Sequence, residues 1–272
     1  MGGKSHLLIG QVMINIIGNN PSAGTLRQIA GQIITNNNIA LCWGARNYRA
    51  DATLVFNGVA RKDAREQLTL MFEAGLTVPT WTDDIEHAKQ WVRDGLRVWG
   101  RSWIHTRGTD IIGSGYKIIR NKTTRKLSEA WNPNWLKREW WVQVIPTDQI
   151  AEEWRIHIFQ GRSIGRALKV QTGEPQRIQP VRNRDNGWTM VHNVDPVLPL
   201  KNAAALAVKS LGYNFGAVDL FLLNDGRIVV LEVNSAPALR SDYTMNAYKT
   251  ALERIANNKW LEWRDKDFTN AD

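Results

Sequence analysis

The chain has 272 residues, 43% of them hydrophobic and 22% charged, which leaves room for a proper core and excludes a disordered, collagenous or coiled-coil chain. A single cysteine, Cys42, excludes an internal disulfide and gives no reason to expect an oxidising compartment. Net charge is +9, but it is unevenly spread: Arg97 to Lys126 holds eight basic residues against one acidic, and Arg155 to Arg184 seven against one. Positive charge gathered in two segments suits a polyanionic ligand.

No signal peptide and no apolar run of about 18 residues is present, so a cytoplasmic protein without a membrane span is expected. Length over roughly 150 residues per domain predicts about two domains or lobes. The thirteen tryptophans include Trp131, Trp135, Trp140 and Trp141 around Lys137 and Arg138. That interleaving supports a rival reading, a module that stacks on single-stranded nucleic acid.

In chain order, the first 77 residues read as a small N-terminal α/β domain. Leu7 to Ile17, Ile39 to Trp43 and Ala52 to Phe56 predict strands, and the Leu26, Ile29, Ala30, Ile33 spacing predicts a helix within Ala23 to Thr35. A second helix, Asp63 to Ala74, offers Leu68, Met71 and Phe72 to a core and stops at Gly75. Val78-Pro79 favours extended backbone and opens a second domain, 78–272. Asp83 or Asp84 caps a helix through Ile85, Ala88 and Trp91. Strands follow at Leu96 to Ile104, Tyr116 to Arg120, Trp140 to Ile145, Trp154 to Phe159 and Ile164 to Val170. Lys201 to Leu211 and Tyr243 to Asn257 predict helices.

The most informative stretch is Phe215 to Asn234. Two apolar runs flank Asp225-Gly226, the pair that favours a two-residue type I′ hairpin, so Asn224 is expected to face Arg227. Counting back places Asp219 opposite Glu232, with Asn234 on the same face. The other residues of that face are then Phe221, Leu223, Ile228 and Val230, all apolar. Two carboxylates facing each other on a half-buried ribbon repel unless a cation bridges them, and an all-oxygen set of two carboxylates and an amide suits Mg²⁺ or Mn²⁺.

Here the residues meet a known pattern. Gly-Ala-Val-Asp at 216–219 followed by Leu-Glu-Val-Asn-Ser-Ala-Pro at 231–237 resembles the metal-binding end of the ATP-grasp superfamily, which includes ribosomal-protein glutamate ligases and D-alanine:D-alanine ligases. Gly75-Leu76-Thr77-Val78-Pro79 resembles the link that precedes the ATP-grasp core, and Glu153 to Phe159 its Glu-Tyr-Arg-Val-His-Val-Phe strand. The resemblance covers roughly residues 75 to 239. It implies an α/β (α+β) ATP-grasp fold: two α/β lobes clasping ATP, preceded by the small N-terminal domain. It also implies a ligase that activates a carboxylate as an acylphosphate and passes it to an amine carried by an amino acid, peptide or protein.

Carried over residue by residue, Asp219, Glu232 and Asn234 would hold magnesium, while Gln143, Val144 and Ile145 would hold adenine. Glu153, Arg155 and Lys169 would contact substrate or phosphate. Arg101 stands where relatives carry a lysine before the phosphate loop, and Arg107 with Gly113, Ser114 and Gly115 stands where their glycine cluster cradles phosphates. Arg101, Arg155 and Lys169 are the catalytic candidates. Pro237-Ala238 replaces the usual Pro-Gly. Position 217 is Ala where the D-alanine:D-alanine ligases use arginine, which favours the glutamate-ligase, acid–amino-acid branch. His157 is given no catalytic role.

Overall fold

A computed structural model of the chain describes residues 12–44, 52–60, 62–101, 118–119, 139–172, 182, 187–192 and 194–259. Its N-terminal part centres on three parallel strands, β2 (Asn15–Ile17), β4 (Ile39–Cys42) and β5 (Leu54–Phe56), in the order β2-β4-β5. Beside them β1 (Val12–Met13) pairs antiparallel with β3 (Ile34–Thr35). All four residues of β4 are buried, as the middle strand of a parallel sheet requires. Helix α1 (Pro21–Ala30) starts where Asn20 accepts the Ala23 N–H and Pro21 supplies the first helical position. It ends before residue 35 because Ile34–Thr35 pairs as β3.

Helix α2 (Ala64–Glu73) opens with a reciprocal cap between Asp63 and Glu66. Leu68 and Met71 enter the larger core, but Phe72, expected beside them, is 69% exposed. The buried place on that side belongs to Gln67, whose Oε1 accepts the Val233 N–H at 2.9 Å. A four-stranded antiparallel sheet follows, in the order β6-β9-β7-β8, from β6 (Trp81–Thr82), β7 (Val98–Arg101), β8 (Ile118–Ile119) and β9 (Trp140–Gln143). Helix α3 (Ile85–Arg93) packs Ala88, Trp91 and Val92 against its Val98 and Trp141.

The five-stranded sheet is antiparallel throughout, in the order β12-β11-β10-β13-β14. Its strands are β10 (Ile150–Phe159), β11 (Arg162–Gln171), β12 (Trp188–Val191), β13 (Phe215–Leu223) and β14 (Ile228–Asn234). Gln160 and Gly161, both at positive φ (48° and 75°), form the two-residue turn that joins β10 to β11. Helix α4 (Leu198–Ser210), which starts early because Pro199 is tolerated in a first turn, covers one face with Leu200, Ala204, Ala207 and Val208. The site lies on the other face. Helix α5 (Asp242–Ala256) crosses back to the N-terminal strands and shares their core through Tyr248, Ala251, Leu252 and Ile255. Among the described residues no helix is long and apolar enough to cross a membrane.

Candidate functional site

The β13–β14 ribbon reaches the expected pairing by an unexpected route. Asp219 pairs with Glu232 and Ala217 with Asn234, but beyond Asp219 the register slips by one, to Leu220 opposite Val230 and Leu222 opposite Ile228. At the tip, Leu223 N–H bonds Arg227 C=O at 2.8 Å, so the loop has three residues, Asn224 to Gly226, with Gly226 at φ 84°. Asn224 therefore does not face Arg227. A bulge at Leu231 restores the count before Glu232. Ile228 and Val230 consequently join Leu220 and Leu222 in the α4-covered core and do not lie on the Asp219 face.

Reading across the face opposite α4 gives three rows. Lys169, Glu153, Phe221 and Val229 form the first; Ala167, Arg155, Asp219 and Glu232 the second; Gly165, His157, Ala217 and Asn234 the third. Arg155 grips Asp219 with two hydrogen bonds, Nε to Oδ1 at 2.7 Å and Nη2 to Oδ2 at 2.6 Å. Such a planar fork is a strong pairing. Burial raises the Asp219 carboxyl, but the charge and hydrogen bonds of Arg155, with Lys169 behind them, outweigh it and hold the group below the usual carboxylate range. The chain thus supplies its own cation between strands, and the facing carboxylates do not by themselves demand a metal.

The set nevertheless fits one. Asp219 is buried while Glu232 is exposed, and the Arg155 fork leaves two lone-pair positions on the Asp219 oxygens. Asn234 Oδ1 accepts the Ala236 N–H at 3.0 Å, leaving its second lone pair free. Among the described residues no three His, Cys, Asp or Glu side chains gather as metal ligands. Two carboxylates and an amide are an all-oxygen set, the donor type that hard divalent cations take.

In the first row, Lys169 pairs with Glu153. Burial pushes the Glu153 carboxyl up, against the opposing pull of Lys169. Its Oε2 has no hydrogen-bond partner and stands 3.9 Å from Arg182 Nε. The Arg182 guanidinium lies over the Trp188 ring at 4.6 Å and faces Phe221 at 5.7 Å. Arg182 belongs to no motif, and its one signal in the sequence is its place in the second basic segment. His157, in the third row, donates to or accepts from Tyr248 Oη at 3.2 Å, and burial with the Arg155 charge pulls it down to about 3.

Towards the hairpin tip, the same face opens into a cavity of about 380 Å³ edged by Val78, Pro79, Gln143, Val144, Ile145 and Val229. The predicted adenine-binding residues therefore line a real space. Gln143 and Val144 donate their N–H groups to Thr80 and Arg97 C=O, so of these three backbone N–H groups it is that of Ile145 that has no backbone partner among the described residues. Val229 lies three residues from Glu232, roughly 10 Å along a strand. Arg101 ends β7 opposite Trp140; its side chain, like Arg107, Gly113, Ser114 and Gly115, lies outside the described residues. Trp140 and Trp141 are core side chains at 1% and 3% exposure, so neither can stack on bases; Trp131, Trp135, Lys137 and Arg138 lie outside the described set.

Neither a family model nor a curated protein sequence matches the chain. Solved structures do. The ATP-grasp ligase PsnB, complexed with minimal precursor, Mg and ADP, superposes with a TM-score of 0.53 at 18% identity over 75% of this chain and 62% of its own. The macrocyclase MdnC, bound with precursor peptide MdnA from Microcystis aeruginosa MRC, gives 0.51 at 17% over 72% and 60%. D-alanine–D-alanine ligase from Bacillus anthracis complexed with ATP gives 0.55 at 12% over 92% and 99%. The match thus spans about 60% of the length of PsnB and MdnC. At such identities the likeness is one of architecture: the chain has the ATP-grasp fold.

Proposed function

We propose that the chain is an ATP-dependent ligase of the acid–amino-acid type, joining a carboxylate to an amine through an acylphosphate. One observation carries this reading: a single sheet face holds Asp219, Glu232, Asn234 and Arg155 at one end and the cavity edged by Gln143, Val144 and Ile145 at the other. That spacing suits a nucleoside triphosphate lying along β14 with its base at the hairpin tip. Magnesium, held by Asp219, Glu232 and Asn234, would neutralise the phosphates and polarise the one transferred.

The rest is work for the chain's own groups. Ile145 N–H would hold the base edge, and Val78 and Val229 would sandwich it. Arg155, fixed through Asp219, presents its remaining N–H donors to oxygens on which charge develops. Lys169 is held near the phosphates by Glu153. Catalysis is then positioning and charge stabilisation, which needs no nucleophilic side chain. Solved neighbours holding precursor peptides favour a peptide or protein as one substrate.

ADP release assayed against panels of amino acids and peptides, with product mass measured, tests the proposal. A mass gain equal to one residue is expected, and Asp219→Asn and Glu232→Gln each lower turnover by roughly 100-fold or more. Full ATP turnover in both variants would sink the assignment.

A further inference from the structure

We infer that Gly44, in the N-terminal part of the chain, is a positioning residue for Asn234 and acts on it through Ala236. Gly44 sits at φ 69°, and a Cβ built on it would stand 2.7 Å from the Ala236 Cβ. That neighbour is fixed to the backbone, so a side chain at 44 forces the two backbone segments apart and pushes on Ala236. Ala236 in turn donates its N–H to Asn234 Oδ1 at 3.0 Å, which sets the rotation of the amide. On the other side, Gly44 is held by Trp43, whose ring is fully buried, stacks on Phe215 at 5.2 Å and gives its Nε1–H to Ser22. The N-terminal strands therefore seat the end of β14 by packing the bare Cα of Gly44 against the Ala236 methyl group.

The inference rests on Asn234 being a metal ligand, as proposed above, and the test separates the two. Isothermal titration of the full chain with Mn²⁺ and a non-hydrolysable ATP analogue should show metal-dependent binding that Asp219→Asn abolishes; if wild type shows none, the metal reading fails and this inference with it. Given that binding, Gly44→Ala should weaken metal-dependent affinity roughly 10- to 100-fold, the range for losing an outer-shell partner, and leave binding of the analogue without metal unchanged. The double variant Gly44→Ala/Ala236→Gly removes the colliding methyl but keeps the strained backbone, and should bring metal-dependent affinity back to a loss smaller than roughly tenfold, below that range's lower limit. Ala236→Val, which adds bulk from the other side at a native Gly44, should reproduce the loss even if Gly44→Ala does not fold. Unchanged metal affinity in Gly44→Ala and Ala236→Val, or no recovery in the double variant, overturns the inference.

Discussion

His157 shows how a single buried side chain ties the site to acid stability. It lies among Arg155, Ala217, Gly165 and Tyr248, and burial first, then the Arg155 charge, lowers it to about 3. In the unfolded chain the same ring titrates near 6.5. A histidine depressed on folding stabilises the protein above its unfolded value and loses that contribution as pH falls from about 6.5 towards 3, because only the unfolded chain takes the proton. Across that window the folding constant should lose close to tenfold per pH unit from this residue. Urea titrations of wild type and His157→Phe at pH 7 and pH 5 measure it: the variant should show the flatter dependence, and parallel curves would mean that the ring is protonated in the folded state. Glu153, raised by burial, adds its own pH dependence, but it is present in both proteins and cancels in the comparison.

At the scale of the element, the β13–β14 hairpin separates two ways in which a glycine matters. Gly226 occupies the loop at φ 84° with nothing near the Cβ it lacks, whereas Gly216 lies in β13 with Val233 Cγ1 at 2.8 Å and Asn234 O at 3.3 Å from such an atom. Gly226→Ala should therefore cost about 1 kcal/mol, a backbone term alone. Gly216→Ala should cost more, roughly 1–3 kcal/mol, because it overpacks two strands at once. Denaturant unfolding of both variants gives the order, and equal losses would contradict it. The same hairpin marks what sequence could convey. Alternation and the Asp-Gly signal pair Asp219 with Glu232, as found, only because two departures from the simple count offset each other. They did not reveal that a three-residue loop and a bulge at Leu231 each shift the register by one and cancel, because both depend on contacts beyond the hairpin, such as Asn224 N–H to Gln149 C=O. Helices with caps were legible close to their ends, as Asp63 and Glu66 bracket the start of α2. Which face α2 buries was less so, since Gln67 earns its place through a hydrogen bond to β14 that no local pattern contains. The Arg155–Asp219 fork was likewise hidden, for it joins residues 64 apart on different strands.

Over the whole molecule, the N-terminal strands and the five-stranded sheet are joined by a shared core. Phe159 and Phe215, paired at the ends of β10 and β13, stack at 5.6 Å and enter the same cluster as Trp43, Phe56 and Tyr248. Beside them Asn57, buried at φ 53°, makes a reciprocal clamp: its Oδ1 accepts Asn214 N–H at 2.6 Å and Phe215 N–H at 3.1 Å, and its Nδ2 donates to Phe215 C=O at 2.9 Å. Asn214 Oδ1 returns the contact by accepting Asn57 N–H at 2.8 Å. Among the described residues the N-terminal strands have no core apart from the one they share with Phe159, Phe215 and α5, so the N-terminal half cannot come away without opening the other half's edge. The two should unfold together, in one transition that coincides by far-ultraviolet circular dichroism and tryptophan fluorescence. Asn57→Ala removes the partner of the buried Phe215 N–H and C=O and of the half-buried Asn214 N–H, at about 1–3 kcal/mol for each buried group left unpaired. It should lower the midpoint while the two probes stay coincident, because the aromatic core still couples the halves. Two separate transitions in the wild-type protein would show that the junction is a contact between independent domains.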